Sequence, residues 1–345
     1  MAAGFKTATV NASDVPGTLT NYPAYVDLSR LGITTLAEAQ SVRVYADSGK
    51  ATEWARDIVS AVQMHVKVPS LTSTTAIYVD WDGVSADYAV TDTYGRNAVW
   101  SDYERVYHLE EGSGDRVDST GNVVLTGTTR GSVASFIENG NDFEESSLDY
   151  LTSANTGLVN VNNLSIELCF RAESFTDIYP VLVSVFDDLS GDSRAWTLSF
   201  VSNNLYFYVS DNGQNSGMDQ LSSAALSTAT DYYVTCTFEG AGTSTFNTYI
   251  NTVNYTKTST TANSVANEAT AFRVGTAVSF AGQAPTGGNY WDGTIDEVRI
   301  RTDVILSANW DATKYNNQSD EAGFWGTWTD VSVGSTFIPR ASFFM

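Results

Sequence analysis

The chain has 345 residues, with 40 Asp+Glu against 18 Lys+Arg and a formal net charge of −22. A field of that sign repels nucleic-acid phosphates, so nucleic-acid binding is not expected, while solubility and cation uptake are favoured. Hydrophobic residues make up 42%, including 18 Tyr, 16 Phe and 8 Trp, which is enough for the packed cores of about two domains and excludes a disordered chain.

The N-terminal "MAAGFKTATVNASD" has no basic segment followed by an apolar one, so no secretion signal is read there. No apolar run approaches the ~20 residues that span a membrane. The expectation is a soluble protein made in a cytoplasm. Period-two alternation then marks half-buried strands: Val42 and Val44 in "SVRVYAD", Met64, Val66 and Val68 in "MHVKVPSL", and Ile77, Val79 and Trp81 in "AIYVDWDG". "DSGK" and "WDG" supply turns, and "TTLAEAQ" (34–40) is a short helix. Residues 1–95 therefore read as a small antiparallel β-sandwich.

The alternation weakens over 84–99, a connection, and a second series of strands follows. It includes "LSIELCFRAES", "YPVLVSVFDD", "AWTLSFVSNNLYFYVSDNG", "DYYVTCTFEG" and "GTIDEVRIRT". Many short strands with turn signals between them suggest a two-sheet sandwich of jelly-roll type. "LSANWDATKYNN" (306–317) reads as a helix with Ser307 as N-cap. Cys169 and Cys236 sit in strand-like runs and are read as free core thiols, since a bridge needs a geometry that sequence does not supply. His65 and His108 are read as strand residues, not ligands.

Residues ~100–328 resemble a laminin-G-like domain of the concanavalin A-like lectin/glucanase superfamily. The segments carrying the resemblance are "VYHLEEGSGDRVDSTGN", "LSIELCFRAES", "DYYVTCTFEG" with "NTYINTVNYT", and above all "WDGTIDEVRIRTDVILSANW". Upstream, "LTNYPAYVDLS" and "SVRVYADSGKATEW" resemble a β-sandwich of unknown function found just ahead of such domains. The expected organisation is all-β: an N-terminal sandwich (1–95), a concanavalin A-like jelly roll (96–328) and a C-terminal docking tail (329–345).

Asp296 and Glu297 are adjacent acids in an apparent strand. Successive strand side chains face opposite ways. Asp296 is thus expected beside Val298 and Ile300, and Glu297 beside Ile295, Arg299 and Arg301. Such a pair cannot flank one glycosidic bond, which needs carboxyls ~5 Å or ~6.5–9.5 Å apart. The acid-x-acid-x-acid run of the superfamily's glucanases is absent as well, so an enzyme is not expected. The resemblance implies that Asp296 ties backbone amides together or joins Asp115 and Asp118 in a structural Ca²⁺ site. Tyr290 and Trp291 end a Gly-rich loop and are read either as sugar-stacking aromatics or as packing under the rim. Asn212 and Asn215 lie in a polar loop suited to hydroxyl groups, which is equally an ordinary hairpin connection. Phe343, Phe344 and Met345 make an apolar C-terminus expected to dock on this chain or a neighbour.

Tandems of this kind occur in tailed-phage virion proteins and bacterial surface proteins. The resemblance implies a non-enzymatic virion protein present in multiple copies, bound to other virion proteins and displaying its second domain to a host-surface glycan or protein. The alternatives are a purely architectural decoration or tail protein, a polysaccharide-degrading enzyme, and a bacterial surface adhesin.

Overall fold

A computed structural model describes residues 3–175, 179–188, 192–240, 244–278, 289–302 and 304–332. Its strands form four sheets, and every strand pair assigned between them is antiparallel. The first sandwich packs a five-stranded sheet (Thr329–Asp330, Gly4–Thr9, Ala76–Trp81, Arg43–Tyr45, Glu53–Trp54) on a three-stranded one (Leu19–Asp27, Gln63–Leu71, Arg56–Ile58). Between them lie Val44, Met64, Val66, Val68, Ile77 and Val79, all fully buried, on the faces that alternation assigns.

The second sandwich packs an eight-stranded sheet on a seven-stranded one around Ile166, Leu168, Phe170, Val183, Leu198, Phe207 and Ile300. The short helices stand where their caps place them. Thr35 caps Leu36–Gln40 through the Glu38 amide, and Ser307 caps Ala308–Ser319 through the Trp310 amide.

The three-stranded sheet is covered on both faces. Met64, Val66 and Val68 face the five-stranded sheet, so Gln63 and His65 face the other way, onto the outer side of the eight-stranded sheet. The sheets therefore stack in four layers with a polar seam in the middle.

Chain order does not divide cleanly between the sandwiches. Trp100, Tyr103 and Val106, from the segment just beyond the connection and the first strand after it, lie in the first core together with Trp310, Phe324 and Trp325 from the C-terminal helices. Asn317 exchanges hydrogen bonds with both backbone groups of Tyr25 (2.7 and 3.0 Å), and Arg30 meets Glu321 at 2.6 Å. Residues 329 and 330, expected to begin a tail, pair with Thr7 and Lys6. Phe343, Phe344 and Met345 lie outside the described residues.

Candidate binding face and the buried seam

The outward face of the seven-stranded sheet gathers side chains that the sequence reading scattered. Strand register lines up Thr152, Arg273, Ser184, Thr197, Tyr208 and Gln220 in one row, because each is paired with the next. Their neighbours Leu151, Val274, Val183, Leu198, Phe207 and Leu221 enter the core. Tyr206, two residues from Tyr208, lies on the same face, and the two rings stack at 5.5 Å with their planes 16° apart. At this end a cleft of about 290 Å³ is lined by Tyr208, Asn215, Met218, Gln220 and the Asp188–Arg194 ion pair, among others. Burial pushes the Tyr208 hydroxyl well above its ordinary range, so it stays a neutral donor and acceptor.

Asn215 thus reaches a cleft. Asn212 is also exposed but is spent on its own loop, accepting from the Gln214 amide at 2.9 Å. Tyr290 is half-buried near Tyr150, with ring centroids 6.4 Å apart at the far end of the same face. Trp291 requires a correction: it is fully buried, its ring stacked on Phe200 (5.4 Å) and edge-on to Phe170 (5.4 Å), and it offers no face to a sugar. Packing under the rim accounts for it. Tyr206 and Tyr208 were missed, although "NLYFYV" carries the signal: tyrosines alternate with Phe207 and Val209.

The expected calcium set is not assembled. Asp118 spends both oxygens on backbone amides (Val106, Thr120 and Val123, 3.0–3.1 Å), and Asp115 is exposed on the loop. Asp296 accepts from the Ile137 amide at 3.2 Å, which is the backbone-tying role.

The strand-alternation argument holds for Glu297 beside Arg299 and is overturned for Asp296 and Ile295, which exchange faces. Pairing runs Glu167 with Arg299 but Cys169 with Asp296, so Gly293–Arg301 holds one extra residue opposite its partner strand. That is a β-bulge, and Glu297 takes it up with φ +55. Val298 and Ile300 face the core, while Glu297 joins Arg299 in the polar seam. Asp296 belongs to that outer side as well, opposite Cys169, whose thiol meets Gln318 there. Cys236 lies in the core, and both thiols are free.

The two acids share the buried outer side yet differ in charge. Burial and the neighbouring Glu297 push Asp296 well above the carboxylate range, whereas Arg299, His108 and His65 overcome burial to hold Glu297 well below it. Glu297 accepts from Arg299 (2.6 and 2.9 Å), Gln63 (2.7 Å) and His108 Nδ1 (2.8 Å). His108 Nε2 faces Asp57 at 3.3 Å, and Asp57 also accepts from the Trp100 indole at 2.7 Å. An imidazole between two carboxylates is held charged, and the His108 pKa rises to about 10 against the opposing effect of burial. His65, buried beside Arg299 and His108⁺, falls to about 4 and is neutral.

His65, His108 and Glu297 bring three donor atoms within 4.8 Å of one another, a convergence the separate strand readings missed. The imidazoles are stacked 13° from parallel at 4.8 Å, so their in-plane lone pairs lie in separate planes and do not meet at one ion. Arg299 already neutralises Glu297. The cluster is a proton-bridged ion network joining the sandwiches.

No curated protein matches this sequence. Among solved structures, the botulinum neurotoxin type G receptor binding domain is similar at 14% identity and TM-score 0.46, over 63% of this chain and 51% of that one. The binding domain of Paraclostridial mosquitocidal protein 1 is similar at 12% and 0.48, over 63% and 52%. Domain 4 of AbnA, an extracellular arabinanase from Geobacillus stearothermophilus solved with arabinotriose, is similar at 16% and 0.44, over 62% and 97%. This chain matches about half the length of the first of these. Residues 145–309 match the laminin-G model described as the concanavalin A-like lectin/glucanases superfamily. That stretch holds most of the second sandwich, and the chain accordingly carries a concanavalin A-like domain there.

Proposed function

We infer that this chain is a non-catalytic binding protein that takes a glycan on the outward face of its seven-stranded sheet. The end of that row, Tyr208 and Gln220, with Tyr206 beside Tyr208, carries the reading. Half-buried Tyr206, stacked on the buried Tyr208, offers an apolar face with a polar tip, and exposed Asn215 and Gln220 stand beside that pair to hydrogen-bond hydroxyl groups. A binding role also agrees with the seam, where Asp296 and Glu297 are both buried and Glu297 is fully bonded, away from any substrate. The tandem's resemblance to tailed-phage virion proteins supports display on a virion, in many copies, where multivalency turns weak single contacts into firm attachment.

The test is binding of the purified protein to immobilised bacterial surface polysaccharides. Tyr206→Ala is expected to weaken binding roughly fivefold, corresponding to about 1 kcal/mol for a lost aromatic contact, and Gln220→Ala less. Unchanged binding by Tyr206→Ala, Tyr208→Ala and Asn215→Ala together would remove the sheet face as the site. Absence of binding to any polysaccharide, even when the protein is multimerised, would remove glycan recognition.

A further inference from the structure

Beside the ion network the seam opens into a cleft of about 510 Å³, large enough for one or two sugar rings. One wall comes from the first sandwich, with Asp57, Ile58, Val59 and Ser60. The other comes from the second, with His108, Glu110, Glu111, Glu138 and Asn139, and Arg96 of the connecting helix completes the lining.

We propose that this cleft is a second saccharide subsite, in which Arg96, Asn139 and the Glu110 carboxyl donate to sugar hydroxyls and Glu111 and Glu138 accept from them. It is separate from the sheet-face site and does not depend on it. Three features carry the assignment. The floor is pre-organised: Asp57 and His108 are almost fully buried and locked to each other, to Trp100 and to Glu297. The lining also mixes signs. Once Asp57 and His108 are paired, Arg96 of the connecting helix stands against the Glu111 and Glu138 wall, so the cleft as a whole is not of one charge. A hydroxyl, which both donates and accepts, suits such a mixture. Finally, Ile58, Val59 and Val117 give apolar contact for the C–H side of a ring.

Glu110 supplies a signature. Burial is the main cause that raises its pKa to about 8, and Glu138 and Glu297 raise it further against two bonds from Asn139 (3.1 and 3.2 Å). It also faces Asp296 from the bulged strand, with His108 two residues away on its own segment. At neutral pH it is an uncharged carboxyl with a proton to give, and above pH 8 that donor is lost.

The test uses the full chain and ligand-observed NMR with glucose, galactose, mannose and N-acetylglucosamine, with spermidine as a cationic control. At least one sugar is expected to bind and to weaken about tenfold between pH 7 and pH 9, as one proton leaves a group titrating near pH 8. Glu110→Gln, which keeps a donor, is expected to bind with a flat profile. Arg96→Ala and Asn139→Ala are expected to lose binding while Tyr206→Ala keeps it. Sugar binding that Tyr206→Ala abolishes and Arg96→Ala spares would overturn this subsite and leave the sheet-face reading standing. The subsite is also overturned if no sugar binds, or if spermidine binds instead and tightens above pH 8.

Discussion

His108→Ala is expected to destabilise the protein by about 3–5 kcal/mol in chemical denaturation, the usual penalty for removing one partner of a buried ion pair. The loss comes less from the imidazole than from what it leaves behind. Asp57 would keep only the Trp100 indole, and Glu297 would keep Arg299 and Gln63, at positions almost fully buried. A pH series separates this account from simple cavity formation. The His108 pKa is about 10 in the folded protein against 6.5 unfolded, so its contribution is complete below pH 6.5 and is lost as pH rises towards 10. Glu110, raised to about 8 from 4.5, acts in the same sense between those values, since the folded state keeps a proton that the unfolded chain has released. His65, lowered to about 4, acts oppositely: stability gained from it increases from pH 4 to 6.5. Asp57 and Glu297 are held low, so their share is lost as pH falls through the acid range. Above pH 6.5, where His65 no longer compensates, the wild type should therefore lose up to about 1.4 kcal/mol per pH unit for each of Glu110 and His108 until that group has titrated in the folded state. His108→Ala should lack the part of that decline lying above pH 8. A mutant profile parallel to the wild type from pH 6.5 to 10 would show that His108 is not the charged bridge.

The two sandwiches were legible because alternation is a local signal: Val42, Val44, Met64, Val66 and Val68 each carry their face in their spacing. The tyrosine pair of the candidate face was readable on the same terms, although missed, since Tyr206 and Tyr208 alternate with core residues. The seam was not. "GTIDEVRI" contains no glycine where the bulge falls, and Glu297 itself takes the positive φ, so nothing in the string announces that the alternation slips there. A slip of one residue reverses a side chain's face, which is how Asp296 came to lie on the outer side with Glu297 and Arg299 while Ile295 turned inward with Val298 and Ile300. His65 and His108 belong to different sandwiches, and only the docking of the three-stranded sheet on the eight-stranded one stacks them. Trp291 shows the converse limit, because an aromatic residue after a Gly-rich loop reads alike whether it lies over the rim or under it.

Trp325→Ala should be as damaging as the loss of His108, by about 3–5 kcal/mol, although it lies near the end of the described chain. Its ring is fully buried in the first core and packs edge-on to Phe324 at 5.2 Å, and its indole donates to the Tyr25 carbonyl at 2.8 Å. The truncation thus leaves a cavity and takes one of two side-chain donors from the Tyr25 carbonyl, which Asn317 still holds at 3.0 Å. This core is built from both ends of the chain, with Leu306, Trp310 and Phe324 beside residues of the first sandwich, and the strand Thr329–Asp330 extends its five-stranded sheet. Residues 1–95 alone would expose that apolar surface and lack those partners, so they are not expected to fold as a separate unit. Scanning calorimetry of the full chain should accordingly give one transition for both sandwiches, and Trp325→Ala should move it down as a whole. Two resolved transitions, with only the lower one shifted by the mutation, would mean that the shared core and the seam do not couple the sandwiches energetically. In that case the first sandwich would be a separable module carried by the concanavalin A-like domain, and the cleft between them would open before either unfolds.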